Sequence, residues 1–260
     1  MKAYCINLDR RPDRREHMWA QFDRLGITVE RVPAVDGRLP EVAARTEGLG
    51  PGVTGLRLGA GAYACFQSHR QCWQRLIESG APHAMVLEDD LLLAGDFADY
   101  LEDGWVPADA DLVRLETMGI RVHLDRTRIP AGGGRYLARL RSLHLGAGCY
   151  VIARAAAIRL HRETEAIVDP VDDLLFNPKS PVFDRLVTYQ MVPAPAAQGT
   201  LLPGRGKDVS WAQTSIAQRF GPNETGVAAS RALHRRLLRR AIEEVSALRR
   251  GRRYTLVRHG

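Results

Sequence analysis

Apolar and polar positions along the chain divide its first two hundred residues into short strands and covering helices. Residues 3–8 (AYCINL) form an apolar run of buried-strand length. RRPDRREHMWAQFDRLG follows. Pro12 suits a first helical turn, Gly26 suits a stop, and Met18, Phe22 and Leu25 recur at i, i+4 and i+7, so one face packs inward. ITVERVPAVDG predicts a second strand closed by a turn at Asp36-Gly37. Strand, helix and strand at this spacing predict a parallel sheet with covering helices.

Residues 46–61 are rich in glycine, contain Pro51 and lack periodicity, which predicts a mobile surface loop. A helix is expected over 62–78, then a buried strand over 84–93 (AMVLEDDLLL) that carries three acids. Further strands are expected at 111–116 (DLVRLE), 147–153 (AGCYVIA) and 187–192 (VTYQMV), the last closing the core, with a Gly-rich loop at 132–134 and a helix over 155–165. A Pro/Gly-rich stretch then runs to Gly226, and residues 229–250 read as a terminal helix. There is no internal repeat.

Composition narrows the class. The 260 residues are 45% hydrophobic and 26% charged, the balance of a soluble globular protein with one large α/β domain or two fused halves. No stretch approaches the roughly 20 apolar residues of a membrane span, and the N-terminus lacks the apolar core of a signal peptide, so the expected compartment is the cytoplasm. Cys5, Cys65, Cys72 and Cys149 form no CxxC pair and read as small buried hydrophobes. Net charge is +7, yet ten arginines stand against only Glu243 and Glu244 after residue 228, so the preceding body is close to neutral. The basicity belongs to a tail, which argues against nucleic acid as a partner of the body.

The candidate chemistry centres on LEDD, residues 87–90, directly after an apolar strand. Strand periodicity would put Glu88 and Asp90 on one side of the chain. Two carboxylates at the carboxyl end of a sheet strand suit a hard divalent cation, which would bridge a nucleotide sugar's phosphates and stabilise the departing diphosphate. A solvated strand-to-loop transition is the other reading of the same acids.

The surrounding segments favour the first reading. INLDRRPDRR (6–15), RVPAVDG (31–37), ACFQSHRQCW (64–73), VLEDDLLL (86–93), VRLETM (113–118), GAGCYVIAR (146–154) and PVDDLLF (170–176) occur in the order and spacing of glycosyltransferase family 25. The chain resembles that family over roughly residues 3–200. The resemblance implies a GT-A fold with a Rossmann-like nucleotide half (about 1–115) and an acceptor half (about 116–228). It further implies a UDP-sugar donor, most often UDP-galactose, and inversion at the anomeric carbon. LEDD then corresponds to the family's metal motif, with Glu88 and Asp90 holding a divalent cation such as Mn2+ or Mg2+ and Asp89 between them at the donor. Asn7 and Arg10 are expected by the uridine or diphosphate, whereas Arg14 and Arg15 read as exposed helix residues. Ser68 and His69 become substrate-pocket candidates, although a helical histidine is equally a hydrogen-bonded core residue. Glu116 and Asp172 are the candidates for general base in an inverting transfer. Asp172 reads equally as the N-cap of a helix beginning at LLF.

The chain departs from the family pattern twice. Ala62 stands where many members have an acid, and no histidine lies between His161 and His234, a region where Lys207 is instead placed to neutralise diphosphate. These departures leave open a non-catalytic nucleotide-sugar-binding module. A nucleotidyl or phosphoryl transferase would use the same acids, but no P-loop or HExxH supports it. In residues 229–260, Leu233, Leu237, Ala241, Val245 and Leu248 form an apolar stripe flanked by arginines. Such a basic amphipathic tail suits an anionic membrane surface bearing a lipid-linked saccharide acceptor.

Overall fold

The computed structural model describes residues 1–53, 55, 57–199 and 251–260. The elements run in the order β1 (Lys2–Asn7), α1 (Pro12–Leu25), β2 (Glu30–Pro33), α2 (Pro40–Ala44), α3 (Ala60–Ser79), β3 (His83–Glu88) and β4 (Leu91–Leu93). They continue with β5 (Leu112–Arg114), β6 (Glu116–Thr117), β7 (Arg121–Asp125), β8 (Ile129–Gly132), β9 (Arg135–Arg139) and β10 (Cys149–Ala153). Then follow α4 (Arg154–Glu163), α5 (Val171–Phe176), β11 (Thr188–Val192), β12 (Ala196–Gln198) and β13 (Arg252–Leu256). The α/β class expected from the sequence is observed.

Among the described residues the main sheet has eight strands in the order β2-β1-β3-β10-β5-β11-β9-β8. β1 lies parallel to β2 and β3, as the strand-helix-strand pattern predicts, while β10 runs antiparallel between β3 and β5. Both faces are covered. Tyr4, Ile6, Val86, Tyr150 and Ile152 pack with Phe66, Trp73 and Leu76 of α3, and Cys5, Met85, Leu87, Cys149 and Val151 pack with Met18 and Phe22 of α1. The period-two division of each strand between these two clusters explains why the strands read as unbroken apolar runs.

β1, β3, β5 and β11 point the same way, so their carboxyl ends share one edge. There, β3, β5 and β11 each pass into a strand of a second sheet, ordered β4-β12-β6. The single strands expected over 84–93 and 111–116 are therefore each two. The first breaks at an Asp89-Asp90 turn and the second at Leu115, whose N–H and C=O go to Cys149 and Ala196. The Gly-rich stretch at 132–134 is the tip of the β8–β9 hairpin, with positive φ at all three glycines. The loop expected at 46–61 contains α2, and Val53 N–H is tied to Asp169 at 2.8 Å.

β11 does not close the core. β12 follows it, and β13 pairs antiparallel with β7, so the end of the expected tail rejoins the body as a strand. The helix expected over 229–250, with its apolar stripe, and Lys207 fall outside the described residues. No helix among the described residues is long and apolar enough to cross a membrane.

Candidate active site

The shared strand edge gathers most of the acids that the sequence singles out. Asn7 ends β1, and its amide Nδ2 donates to Asp89 Oδ2 at 2.7 Å and to the Arg11 carbonyl at 3.1 Å, while its Oδ1 accepts from Arg31 Nε at 3.0 Å. Arg14 Nη1 donates to Asp89 Oδ1 at 2.6 Å, and its Nη2 lies 3.1 Å from Asp90 Oδ2. Asn7 and Asp89, expected at the donor, are both buried and hold each other. Arg10 is half-buried and donates to Asp36 at 2.7 Å.

Arg14 corrects its expectation as an exposed residue. It is buried on the stripe of α1 that carries Met18 and Gln21, while Arg15 is exposed. That spacing of 14, 18 and 21 was the available signal. A guanidinium is tolerated there because two carboxylates face it.

Glu88 and Asp90 are brought near each other by the turn rather than by strand alternation, since β3 ends at Glu88. Asp90 is buried; among the described residues its Oδ1 has no hydrogen-bond partner. Burial raises its carboxyl, Arg14 pulls it back, and the charges of Glu88 and Asp89 raise it further. The Glu88 side chain is 24% exposed. Its Oε1 receives His69 Nε2 at 3.2 Å and the Cys65 thiol at 3.8 Å. Two adjacent carboxylates, one with an unpartnered buried oxygen and one open to solvent, fit a hard divalent cation.

His69 is fully buried, with Nδ1 2.9 Å from the Tyr150 hydroxyl. Cys65 is half-buried beside it rather than a core hydrophobe, and the ligand atoms of Cys65, His69 and Glu88 lie within 4.8 Å of one another. The i, i+4 spacing of Cys65 and His69 on α3 was the missed signal. Ser68 is fully buried; its hydroxyl donates to Ala64 O at 2.8 Å and accepts from Val35 N–H at 2.9 Å, which fastens the chain after β2 to α3.

The second carboxylate pair lies around residues 146–148. Glu116 is fully buried: its Oε1 accepts from Arg114 Nη2 at 2.9 Å and from Gly148 N–H at 2.7 Å, and its Oε2 has no partner among the described residues. Burial raises the Glu116 carboxyl to about 8, against the opposing pull of Arg114. Arg114 also donates to the carbonyls of Leu145 and Gly146 and lies 4.7 Å over the Phe176 ring. Asp172 is buried in the first turn of α5 and accepts from Gly146 N–H at 2.8 Å. The N-cap position is Pro170, so Asp172 lies inside the first turn of this helix and is not its N-cap. Gln190 of β11 donates to the carbonyls of Glu116 and Met191 and receives His144 Nδ1 at 2.9 Å, completing a buried polar layer that sequence reasoning missed.

An α/β sheet whose strand ends gather an acidic turn and a buried carboxylate pair places a ligand site outside its carboxyl edge, the usual location in this class of fold. Comparison with known proteins makes the class specific. The model for glycosyltransferase family 25 (LPS biosynthesis protein) matches residues 1–175. Lacto-N-neotetraose biosynthesis glycosyltransferase LgtB of Neisseria gonorrhoeae is 32% identical over 213 residues, 76% of this chain and 74% of that protein. Lipooligosaccharide biosynthesis protein lic2B of Haemophilus influenzae is 30% identical over 212 residues, 77% of each chain. A solved glycosyltransferase involved in glycosylation of the major capsid of PBCV-1 aligns at 8% identity with TM-score 0.41, covering 76% of this chain and 92% of that one. The chain belongs to glycosyltransferase family 25. It is a glycosyltransferase, acting between a sugar donor and a glycan acceptor.

Proposed function

We propose that this protein is an inverting hexosyltransferase of GT-A type that moves galactose from a UDP-sugar to a saccharide acceptor in lipopolysaccharide biosynthesis. The names of its relatives, in lacto-N-neotetraose and lipooligosaccharide biosynthesis, support the acceptor class. The observation that carries the reading is the buried Asp90 Oδ1, without a partner among the described residues, beside the partly exposed Glu88.

Glu88 and Asp90 would hold a divalent cation, and Asn7, Arg14 and Asp89 keep their turn in place. A cation bound there would supply positive charge to the diphosphate leaving group. Glu116 is the general base. Its Oε1 is pinned by Arg114 and Gly148; Oε2, buried and without a partner among the described residues, would take the acceptor hydroxyl proton once the acceptor reaches it, as the anomeric carbon accepts that oxygen and releases the diphosphate. With its carboxyl raised to about 8 by burial, Glu116 acts as a base only in its ionised form, so turnover should rise as pH climbs toward that value. Asp172 acts through the Gly146 N–H to hold the 146–148 backbone against Glu116. The arginines after residue 228 draw the enzyme to the anionic cytoplasmic face of the membrane, where lipid-linked saccharides lie.

The test is a panel of UDP-hexoses with and without a saccharide acceptor and a chelator, read as UDP release and product configuration. One donor should be consumed, with inversion, and activity should fall on chelation and in Asp90→Asn. Equal activity in chelator would overturn the cation and move charge neutralisation to Lys207. A retained anomeric configuration would overturn the direct displacement.

A further inference from the structure

Trp73 and His69 lie one turn apart on α3 and meet the same hydroxyl, that of Tyr150 on β10. Trp73 Nε1 lies 2.9 Å from it, His69 Nδ1 lies 2.9 Å from it, and His69 Nε2 lies 3.2 Å from Glu88 Oε1. The first three side chains are fully buried, so every hydrogen must find an acceptor.

Only one arrangement satisfies all of them. An indole N–H only donates, so the Tyr150 oxygen accepts from Trp73. The single Tyr150 hydrogen must then go to His69 Nδ1, which accepts it. His69 therefore carries its own hydrogen on Nε2 and donates it to Glu88. In the opposite tautomer Tyr150 would receive two donors and its own buried hydrogen would have no acceptor among the described residues. Burial pushes the Tyr150 phenol well above its ordinary range, so the hydroxyl keeps that hydrogen.

We propose that Trp73, Tyr150 and His69 form a one-directional hydrogen-bond chain that fixes the Nε2–H tautomer of His69 and holds Glu88 by Oε1, leaving Oε2 for the cation. His69 is thus a positioning residue and not a ligand. The inference deepens the proposed function and rests on it for the cation. It also decides the chemistry of the Cys65, His69 and Glu88 cluster, whose ligand types alone would suit a soft metal. Metal binding at His69 Nε2 would have to expel the hydrogen that the chain places there. Glu88 is left as an oriented oxygen donor for a hard ion.

The tautomer is read directly from 15N NMR of histidine-labelled protein without added metal. A protonated Nε2 and an unprotonated Nδ1 at His69 are expected; a protonated Nδ1 overturns the chain whatever the enzyme does. Calorimetry with Mn2+ tests the positioning. His69→Leu and Tyr150→Phe should lose about tenfold in Mn2+ affinity, the usual scale for an orienting partner behind a ligand. His69→Gln, whose amide nitrogen keeps a donor near the Nε2 position, should retain most of it. Should Tyr150→Phe fail to fold, Trp73→Phe removes the first link more gently and should show a mixed tautomer. His69→Leu that binds Mn2+ as tightly as wild type overturns the positioning role. Wild-type protein that shows the expected tautomer but binds no Mn2+ overturns the cation reading of Glu88 and Asp90 and leaves the chain standing.

Discussion

Arg14 is the residue on which the acidic turn depends, because it faces two buried carboxylates with little water to share the charge. Arg14→Met should cost about 3–5 kcal/mol, the range for removing one partner of a buried ion pair, measured by urea unfolding. Glu116 makes the opposite kind of demand. Its carboxyl is raised from an ordinary 4.5 to about 8, so the folded protein keeps a proton that the unfolded chain has already lost. Stability from this group is fully present below about pH 4.5 and is lost as pH rises to about 8; Asp90, also raised, acts in the same sense. Metal-free wild type should therefore weaken over that window in urea titrations, and Glu116→Gln should weaken less. Legibility at this scale followed polarity in unexpected places. Arg114 and Gln190 interrupt the apolar runs LVRLE and VTYQMV, and a polar residue inside a buried strand must find partners. Arg14 was hidden because arginine-rich helices are usually solvated, and only its stripe position distinguishes it from Arg15.

The elements that carry the site are the three crossings from the large sheet into the small one. β1, α1, α3, β3 and β10 were legible because each has a full period of apolar positions and a clear stop. The crossings were not, since a chain that changes sheets within an apolar run keeps the same hydropathy. The short strands β7 and β9 escaped because much of their sequence is polar, β8 because its IPAG carries a proline and a glycine, and β13 because its partner lies far away in the chain. Gly146 and Gly148, which face these crossings, have no room for side chains. A Cβ at Gly148 would lie 2.7 Å from Glu116 Oε2, 3.1 Å from Leu91 and 3.3 Å from Gln198. Glu116 cannot yield easily, being held by Arg114 and by the Gly148 N–H itself. Gly148→Ala should thus displace the carboxylate and cut kcat by on the order of 10² or more, the scale of a misplaced general base, with a smaller change in the donor's KM. A substitution that leaves kcat intact would mean Glu116 is not the base.

At the scale of the whole molecule, the membrane role proposed for the C-terminal arginines has to be separated from the structural role of the chain's last residues, which a simple truncation would confuse. Val257 is fully buried, its carbonyl accepts from the buried Thr117 hydroxyl at 2.6 Å, and the Arg258 carbonyl accepts from Ala194 N–H at 2.8 Å. Leu256, Val257, Arg258 and His259 also line a cavity of about 270 Å³ with Leu92, Thr117 and Gln198, next to the small sheet. Cutting the chain at Ala228 removes these contacts together with the arginines. Burial of a valine side chain contributes roughly 1.5–3 kcal/mol, and a buried hydroxyl left without its acceptor costs about 1–3 kcal/mol. Deleting 251–260 alone should therefore destabilise the body by about 3 kcal/mol or more, with no effect on charge elsewhere. The membrane role needs the complementary variant, in which Arg231, Arg235, Arg236, Arg239 and Arg240 become glutamine and the end of the chain is kept. Each arginine near an anionic surface contributes on the order of 1 kcal/mol, so together they account for up to about 10³-fold in vesicle affinity at low salt. Wild type should sediment with phosphatidylglycerol vesicles at low ionic strength and be released as the Debye length shrinks. The five-glutamine variant should stay in the supernatant, melt like wild type and transfer normally to a soluble saccharide. Its transfer to a lipid-linked acceptor should slow. If it sediments as wild type does, the arginines do not hold the enzyme at a membrane.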